Sequence, residues 1–463
     1  MARGKKKESL TLEERLQAAL VPDWEQPYKV PENWCWTQLG TYIDFATDYV
    51  ANGSFASLKQ NVAYYKEENY AILVKTQDFS NSFTEDLTYT DKHGYDFLKK
   101  SVLYGGELIL SNIGSIGKVF RVPQLNKPMT LAPNSIMIKC RRETDYDLLY
   151  YYLLSPFGTE QLYSITTGTA VKKFNKTDLK TIYLPLPPLP EQQRIVDRIE
   201  SLFAKLDEAK QKVQDALDSF ETRKAAILHK AFTGELTARW RKEHGVGMES
   251  WITVSVSEIC HSLKYGTAKK SASEGAVVVI RMGNLQDGEI DWSDLAYSND
   301  KEDIEKYKLM PGDVLFNRTN SPALVGKTSI YRGEYPAIYA GYLIKLDYDR
   351  SRITGDYLNY SLNTISAKEY CNSVKTDGVN QSNINAKKIG AYKFAMPNIE
   401  EQTEIVRILD DLLSKEQQAK EAAEAVLDQI DLMKKSILAR AFRGELGTNN
   451  PAEESAVELL KKY

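Results

Sequence analysis

The sequence predicts an α+β protein built as a pseudo-two-fold tandem repeat. Two globular units alternate with two long helices, which pair as an antiparallel coiled coil. Three observations predict this. Slid by 210 residues, segment 190–236 lies on 400–446 without a gap, and 18 of the 47 positions are identical. A heptad-spaced apolar seam runs through both matched segments. Ahead of each lies a longer stretch with short strand-like runs and turn-rich loops.

The repeat sets the boundaries. An N-terminal extension (1–30) precedes a first globular unit (31–189) and a first helix (190–236). A linker (237–250), a second unit (251–399), a second helix (400–447) and a tail (448–463) follow. The first helix opens on PLPPLPEQQRIV and closes on KAFTGEL; the second opens on AMPNIEEQTEIV and closes on RAFRGEL. The offset also reaches into the globular units, where Gly168, Asn175 and Pro187 fall on Gly378, Asn385 and Pro397. Chance does not produce this, so the chain is two copies of one unit.

Each helix is predicted from its period. In the first, Ile195, Ile199, Leu202, Leu206, Ala209, Val213, Ala216 and Phe220 are spaced alternately by four and three. In the second, Ile405, Leu409, Leu412, Glu416, Ala419, Ala423, Val426, Ile430, Met433 and Ile437 do the same. The prolines at 185–190 and 397 mark the starts, because proline is excluded from a helix interior. Gly234 and Gly444 mark the stops. About 40 residues give roughly 60 Å of helix at 1.5 Å per residue. Glu416 stands where the first copy has Leu206, a polar seam position that can set register. Antiparallel pairing is expected because it leaves each unit beside the start of its own helix, whereas a parallel pair would crowd both units onto one end.

Composition bounds the rest. The chain of 463 residues is too long for one core, with 42% hydrophobic and 27% charged residues. No apolar run reaches the ~18–20 residues of a membrane span. The basic start, MARGKKKESLTLEERL, has no apolar stretch behind it and so lacks the pattern of a secretory signal. Cys35, Cys140, Cys260 and Cys371 are scattered with no CxxC pair, which argues against structural zinc and fits a reducing, cytoplasmic setting. A net charge of −3 does not itself favour nucleic acid, so any basic surface must be local.

Within the units, the runs YAILVKTQ, ELILSNIG, APNSIMIKC and TIYLPLP read as strands of the first. AVVVIRMGN, DVLFNRTN, YAGYLIKLD and AYKFAMP read as strands of the second. Helices are expected at DLLYYYLLS and along DYLNYSLNTISAKEYC. PENWCWTQLG and ESWITVSVSEI open the two units, with Trp34 and Trp251 at matching places.

Two loops in each unit carry the candidate binding chemistry. One follows a strand: SNIGSIGKV with Ser111, Asn112, Ser115 and Lys118, and NRTNSPALVGKT with Arg318, Asn320 and Lys327. The other precedes the last strand. It offers Thr167, Thr169, Lys172, Lys173 and Lys176 in the first unit, and Asn380, Gln381 and Asn383 in the second. Lys264, Tyr265, Lys269 and Lys270 form a further basic cluster with an aromatic in it. Such side chains supply the donors, acceptors and positive charge that base edges and phosphates require. The loops fall at matching places while their residues differ: Val171-Lys172-Lys173 stands against Gln381-Ser382-Asn383. Equal frames with unequal polar loops suggest two readers of different targets.

Catalytic motifs are missing. SPALVGKT ends like a phosphate-binding P-loop but has Ser321 where the first glycine belongs. No [DNS]PP[YF] methylation motif, FxGxG, GxGxxG, HExxH or nuclease carboxylate–lysine set appears, and the four histidines lie far apart. No cofactor or metal is therefore expected on this chain.

In its alternation of two globular units with two near-equal helices, and in its paired phrases PLPPLPEQQRIVDRIESLF…ILHKAFTGEL and MPNIEEQTEIVRILDDLL…ILARAFRGEL, the chain resembles the specificity (S) subunit of type I restriction–modification enzymes. The resemblance implies that each globular unit is a target recognition domain reading one half of a bipartite site in double-stranded DNA. It implies that the helices act as a ruler and dock two methyltransferase (M) subunits, with two restriction (R) subunits completing the endonuclease. AdoMet, ATP and Mg would then belong to those partners. A coiled-coil scaffold without DNA binding is the alternative; a stand-alone methyltransferase or nuclease is disfavoured by the missing motifs.

Overall fold

The computed structural model describes residues 11–141, 144–379 and 381–462. It divides into two units, one made of the chain up to Lys212 plus Val426 onward, the other of Val213–Ala425. Each long helix therefore gives one half to each unit.

In the first unit the opening strand Cys35–Gln38 pairs antiparallel with the closing strand Tyr183–Leu186, Cys35 opposite Leu186. Between them lies a four-stranded antiparallel sheet in the order Ile43–Asp48, Ser135–Cys140, Leu108–Ser111, Val119–Arg121. A second sheet runs Tyr89–Thr90, Ala71–Val74, Met129–Leu131, Val102–Leu103, with its two middle strands parallel.

The second unit repeats this plan. Ile252–Ser255 pairs with Lys393–Met396, Ile252 opposite Met396. The four-stranded sheet is Cys260–Tyr265, Leu343–Tyr348, Val314–Asn317, Thr328–Ile330, and the mixed sheet is Tyr297–Ser298, Val277–Ile280, Ala337–Tyr339. Here a hairpin, Leu285–Gln286 to Glu289–Ile290, turns through Asp287 and Gly288, both at positive φ (50° and 89°). Asp-Gly is the pair such a two-residue turn favours.

The expected strands form, and so does the helix Tyr146–Leu154. The single helix expected along 356–371 is instead two, Gly355–Leu362 and Ile365–Val374. Thr364 breaks it by turning its hydroxyl to accept from Ala367 N, capping the second helix.

The long helices are Leu189–Phe232 and Ile399–Ala441, of 44 and 43 residues. In the first unit Asp207 meets Lys434 and Lys210 meets Asp431; in the second Arg223 meets Glu416. Rising numbers on one helix meet falling numbers on the other, so the pair is antiparallel. Their ends complete the globular cores. Ile195, Val196, Ile199, Leu438, Ala441 and Phe442 join Leu108, Leu110, Ile136 and Ile138 in the first unit. Leu228, Ala231, Ile405 and Leu409 join Val314, Phe316, Ile344 and Leu346 in the second.

Between those ends the seam departs from a strict heptad. Leu202, Leu206, Val213 and Leu412 are half-buried, and Phe220 and Ile430 are buried. Val426, expected in the seam, is exposed (38%), as are Ala216, Ala419 and Met433, while Leu217 and Leu427 turn inward. The inward positions run 206, 209, 213, 217, 220 on one helix and 409, 412, 416, 420, 423 on the other. Each helix thus takes two steps of four in succession, 209 to 213 to 217 and 412 to 416 to 420. A helix of 3.6 residues per turn drifts away from a 3.5 repeat, and one such stutter brings the apolar stripe back.

Glu416 keeps the seam position expected of it. It accepts from Arg223 Nε at 2.9 Å, and the Arg223 guanidinium lies 4.1 Å from the Phe220 ring centre. Gly234 and Gly444 end the helices at φ of 80° and 74°, the left-handed conformation glycine adopts freely.

The N-terminal extension forms the helix Leu12–Ala19 behind a Thr11–Glu14 capping box; its lysine-rich start lies outside the described residues. Leu16, Ala19 and Leu20 pack on the first core, beside Ala456, Leu459 and Leu460 of the tail. Among the described residues no helix is long and apolar enough to cross a membrane.

Candidate nucleic-acid interface

The two candidate loops of each unit, about 60 residues apart in sequence by the chain numbering, are stitched together by backbone hydrogen bonds. In the first unit Gly114 N donates to Lys172 O (3.1 Å), Phe174 N to Asn112 O (3.1 Å), and Thr167 and Lys173 exchange bonds of 2.8 and 3.0 Å. Lys173 is the shared residue, bridging Ile113 on one side and Thr167 on the other. In the second unit Thr319–Asn320, Ser382–Asn383 and Thr376–Asp377 form a three-stranded ribbon. Asn383 is its shared residue, opposite both Thr319 and Thr376. Positions 173 and 383, paired by the 210-residue offset, therefore hold the same place in the same small sheet.

The candidate residues divide by what their side chains do. Ser111 is buried and its hydroxyl donates to Ile113 O, because it ends a sheet strand rather than lining the surface. Asn112 gives its amide to Phe174 O (3.1 Å). These two hold the loops together. Ser115, Lys118, Thr167, Thr169, Lys172 and Lys173 are exposed, and among the described residues neither Lys172 nor Lys173 forms an ion pair. Lys176 is tied to Asp48 at 3.1 Å.

In the second unit Lys264 pairs with Asp347 (3.1 Å), Lys269 with Asp300 (2.7 Å) and Asp303 (3.3 Å), and Lys327 donates to Gln286 (2.7 Å). Lys270 and Gln381 are exposed. Asn320 accepts from Ser321 N (2.8 Å), and Asn383 donates to the Thr319 hydroxyl (2.7 Å). Arg318 lies over the Tyr265 ring, 4.8 Å from its centre. Asn380 lies outside the described residues. The basic cluster foreseen at 264–270 is thus largely neutralised by acids, and among the described candidate residues the positive charge without an acid or other side-chain acceptor sits at Lys118, Lys172, Lys173, Lys270 and Arg318.

A second pair of matched sites anchors the helices to these frames. In the first unit the buried Glu191 accepts from Trp34 Nε1 (2.7 Å), Asn449 Nδ2 (2.9 Å) and Thr448 Oγ1 (3.1 Å). In the second, the buried Glu401 accepts from Trp251 Nε1 (3.1 Å), Thr237 Oγ1 (2.6 Å) and Arg241 Nη1 (2.5 Å). The neighbouring Gln192 and Gln402 donate back to Pro187 O (3.0 Å) and Pro397 O (2.8 Å). The matched Trp and Glu positions are a faint signal of this in the sequence, but nothing there brings partners 150 residues apart together.

Two matched α+β frames, each presenting a stitched loop pair of different side chains and each fastened to a shared helix pair, define a two-module recognition protein. The comparisons with known proteins make the class specific. The profile described as type I restriction modification DNA specificity domain matches residues 50–218 and 248–425, and the chain belongs to this family. It is 26% identical to the type I restriction enzyme EcoKI specificity subunit of Escherichia coli K12 over 94% of this chain and 95% of that one. It is 24% identical to the StySPI specificity subunit of Salmonella potsdam over the same shares. The fold is similar to the crystal structure of the HsdS subunit from Thermoanaerobacter tengcongensis, with a TM-score of 0.58 at 21% identity, covering 91% of this chain and 99% of that one. A chain from a structural study of assembly and conformational transition in the type I R-M system gives 0.66 at 20% identity, covering 90% and 100%. The protein is a specificity subunit of a type I restriction–modification system.

Proposed function

We propose that each unit reads one half of a split duplex-DNA target through its stitched loop pair. The two halves lie about one turn of DNA apart, the spacing of paired major-groove readers, and the long helices set that spacing. The same helices dock two methyltransferase subunits, and two restriction subunits complete an ATP-dependent endonuclease in the cytoplasm. The chain itself is not catalytic: AdoMet, ATP and Mg act on the partners.

The observation that carries this reading is the pair Lys173 and Asn383. They hold one structural position with different chemistry, which is what two readers of different sequences need. Phosphate contacts position such a protein and base contacts specify its site. Exposed Lys172 and Lys173 suit the first task, and the amides around Asn383 suit the second. The test is methylome sequencing of cells that carry this chain with its methyltransferase subunit. The expected result is one motif in two parts with an unread spacer. A pure scaffold would leave no motif and would not bind duplex DNA at low salt.

A further inference from the structure

We infer that Arg318 is the guanine-reading residue of the second unit. This rests on the reading of the stitched loops as the DNA-facing surface and adds to it a residue and a base.

The backbone of Arg318 is fixed on both sides. Its N–H donates to Tyr342 O (3.0 Å), and its carbonyl accepts from Ile384 N (2.8 Å), the bond that joins the two loops. The first unit makes the same joint at Asn112, whose carbonyl accepts from Phe174 N. There the side chain is used up, because the Asn112 amide donates to Phe174 O. The second unit places a cation at the same joint instead.

That cation is oriented and uncommitted. The guanidinium rests on the Tyr265 ring, and the Tyr265 hydroxyl in turn accepts from Ala386 N (2.9 Å), which locks the ring to the second loop. Nη1 donates to Gly341 O at 3.3 Å, and Nε is buried without a partner. Among the described residues Nη2 has no acceptor, and it is not one of the enclosed unpartnered atoms, so it is open to a further partner. No carboxylate pairs with Arg318 among the described residues, although Lys264 and Lys269 nearby are each held by one.

A group that only met phosphate would need charge but no fixed plane. Arg318 has a plane set by a stack, and the end of its fork offers Nη2 together with the second N–H of Nη1, the first being given to Gly341 O, which is the donor pair a bidentate contact uses. Guanine is the base that presents two adjacent acceptors, O6 and N7, in the major groove, and a planar fork matches them. Asn383, in the next strand of the ribbon, lies beside the loop that Arg318 joins and supplies neighbouring amide chemistry.

The test uses the complex of this chain with its methyltransferase subunits. Methylome sequencing of wild type, Arg318→Lys and Arg318→Ala should show one guanine becoming degenerate. That guanine should lie in the half of the motif that survives exchange of residues 31–189. In binding assays, replacing that guanine by 7-deazaguanine, which lacks the N7 acceptor, should weaken wild type about 10- to 100-fold. It should weaken Arg318→Ala little further. Arg318→Lys keeps the charge and the aliphatic stem but not the planar fork, so it separates loss of the fork from loss of folding. An unchanged motif with uniformly weaker binding would show a phosphate contact and overturn the inference. So would equal sensitivity of wild type and Arg318→Ala to 7-deazaguanine. A wild-type complex with no motif at all would bring down the loop reading itself, and this inference with it.

Discussion

The indole of Trp34 donates to the carboxylate of Glu191 at 2.7 Å, and Trp251 repeats the bond to Glu401 at 3.1 Å. Each bond ties the start of a unit to the first turn of the helix that leaves it. The third partner differs: Asn449 is neutral, whereas Arg241 is charged and nearly buried.

That difference predicts unequal costs. Glu401→Ala strands the Arg241 cation in the interior and should destabilise the second unit by about 3–5 kcal/mol. Glu191→Ala leaves only neutral donors unmet and should cost the first unit about 1–3 kcal/mol. A two-unit chain need not unfold in one step, so hydrogen exchange resolved by segment is the appropriate measurement. Equal loss of protection in both variants would contradict the assignment.

The stutter predicts which seam residues matter. Ile199 is fully buried among core groups, so Ile199→Ala should cost about 2–5 kcal/mol. Val426→Ala, at an exposed position, should change stability by no more than ~0.5 kcal/mol. Leu202→Asp with Leu412→Asp places charge at half-buried sites, so it should destabilise less than Ile199→Asp while still impairing methyltransferase docking. A strict heptad coil would instead make Val426 more sensitive than Leu427; urea titration of the two alanine variants decides between them.

The thiols give a prediction in pH. Burial pushes Cys35 and Cys140 up to about 12, Cys260 likewise, and Cys371 up to about 11. Raising the pKa lowers the thiolate fraction at any pH below it, and the thiolate is the nucleophile. Alkylation at pH 8 should therefore be slow at all four in the folded chain and rapid in urea. A cysteine that labels quickly in the folded protein would show that its burial is incomplete.

Lys172 and Lys173 are exposed and carry no acid partner among the described residues, so their charge is available to phosphate. Replacing both by Ala should weaken binding to every DNA sequence alike. The slope of log K against log salt should flatten by roughly 0.9 for each phosphate that is no longer neutralised. An unchanged slope would place them away from the backbone.

Much of the fold was legible because its signals are periodic or duplicated. The two helices, their stops at Gly234 and Gly444, and the strands all rest on local pattern. The stutter was not legible: Ala216 and Val426 satisfy a heptad as well as Leu217 and Leu427 do, and only packing across the pair chooses. The candidate loops were found by composition, yet composition cannot tell Asn112, spent on Phe174 O, from Arg318, left open. Nor can it show that Lys264 and Lys269 face acids 31 or more residues away in the chain.

Modularity is the most demanding consequence. Residues 31–189 hold the opening and closing strands, both sheets and both loops of the first unit, so the loop pair proposed to read DNA lies entirely within them. Its core, however, is completed by Ile195, Ile199, Leu438 and Phe442 from the helices. An exchanged unit must therefore bring a tryptophan for Glu191 and an apolar face for those four side chains. Given both, exchanging 31–189 for the corresponding unit of a relative should change one half of the methylated motif and leave the other intact. Inserting one helical turn, ~5.4 Å, into both long helices together should leave both halves intact and alter only the unread spacer. Methylome sequencing of each variant measures both outcomes. A unit exchange that rewrote both halves, or a lengthened helix pair that changed the bases read, would show that the two readers are not independent.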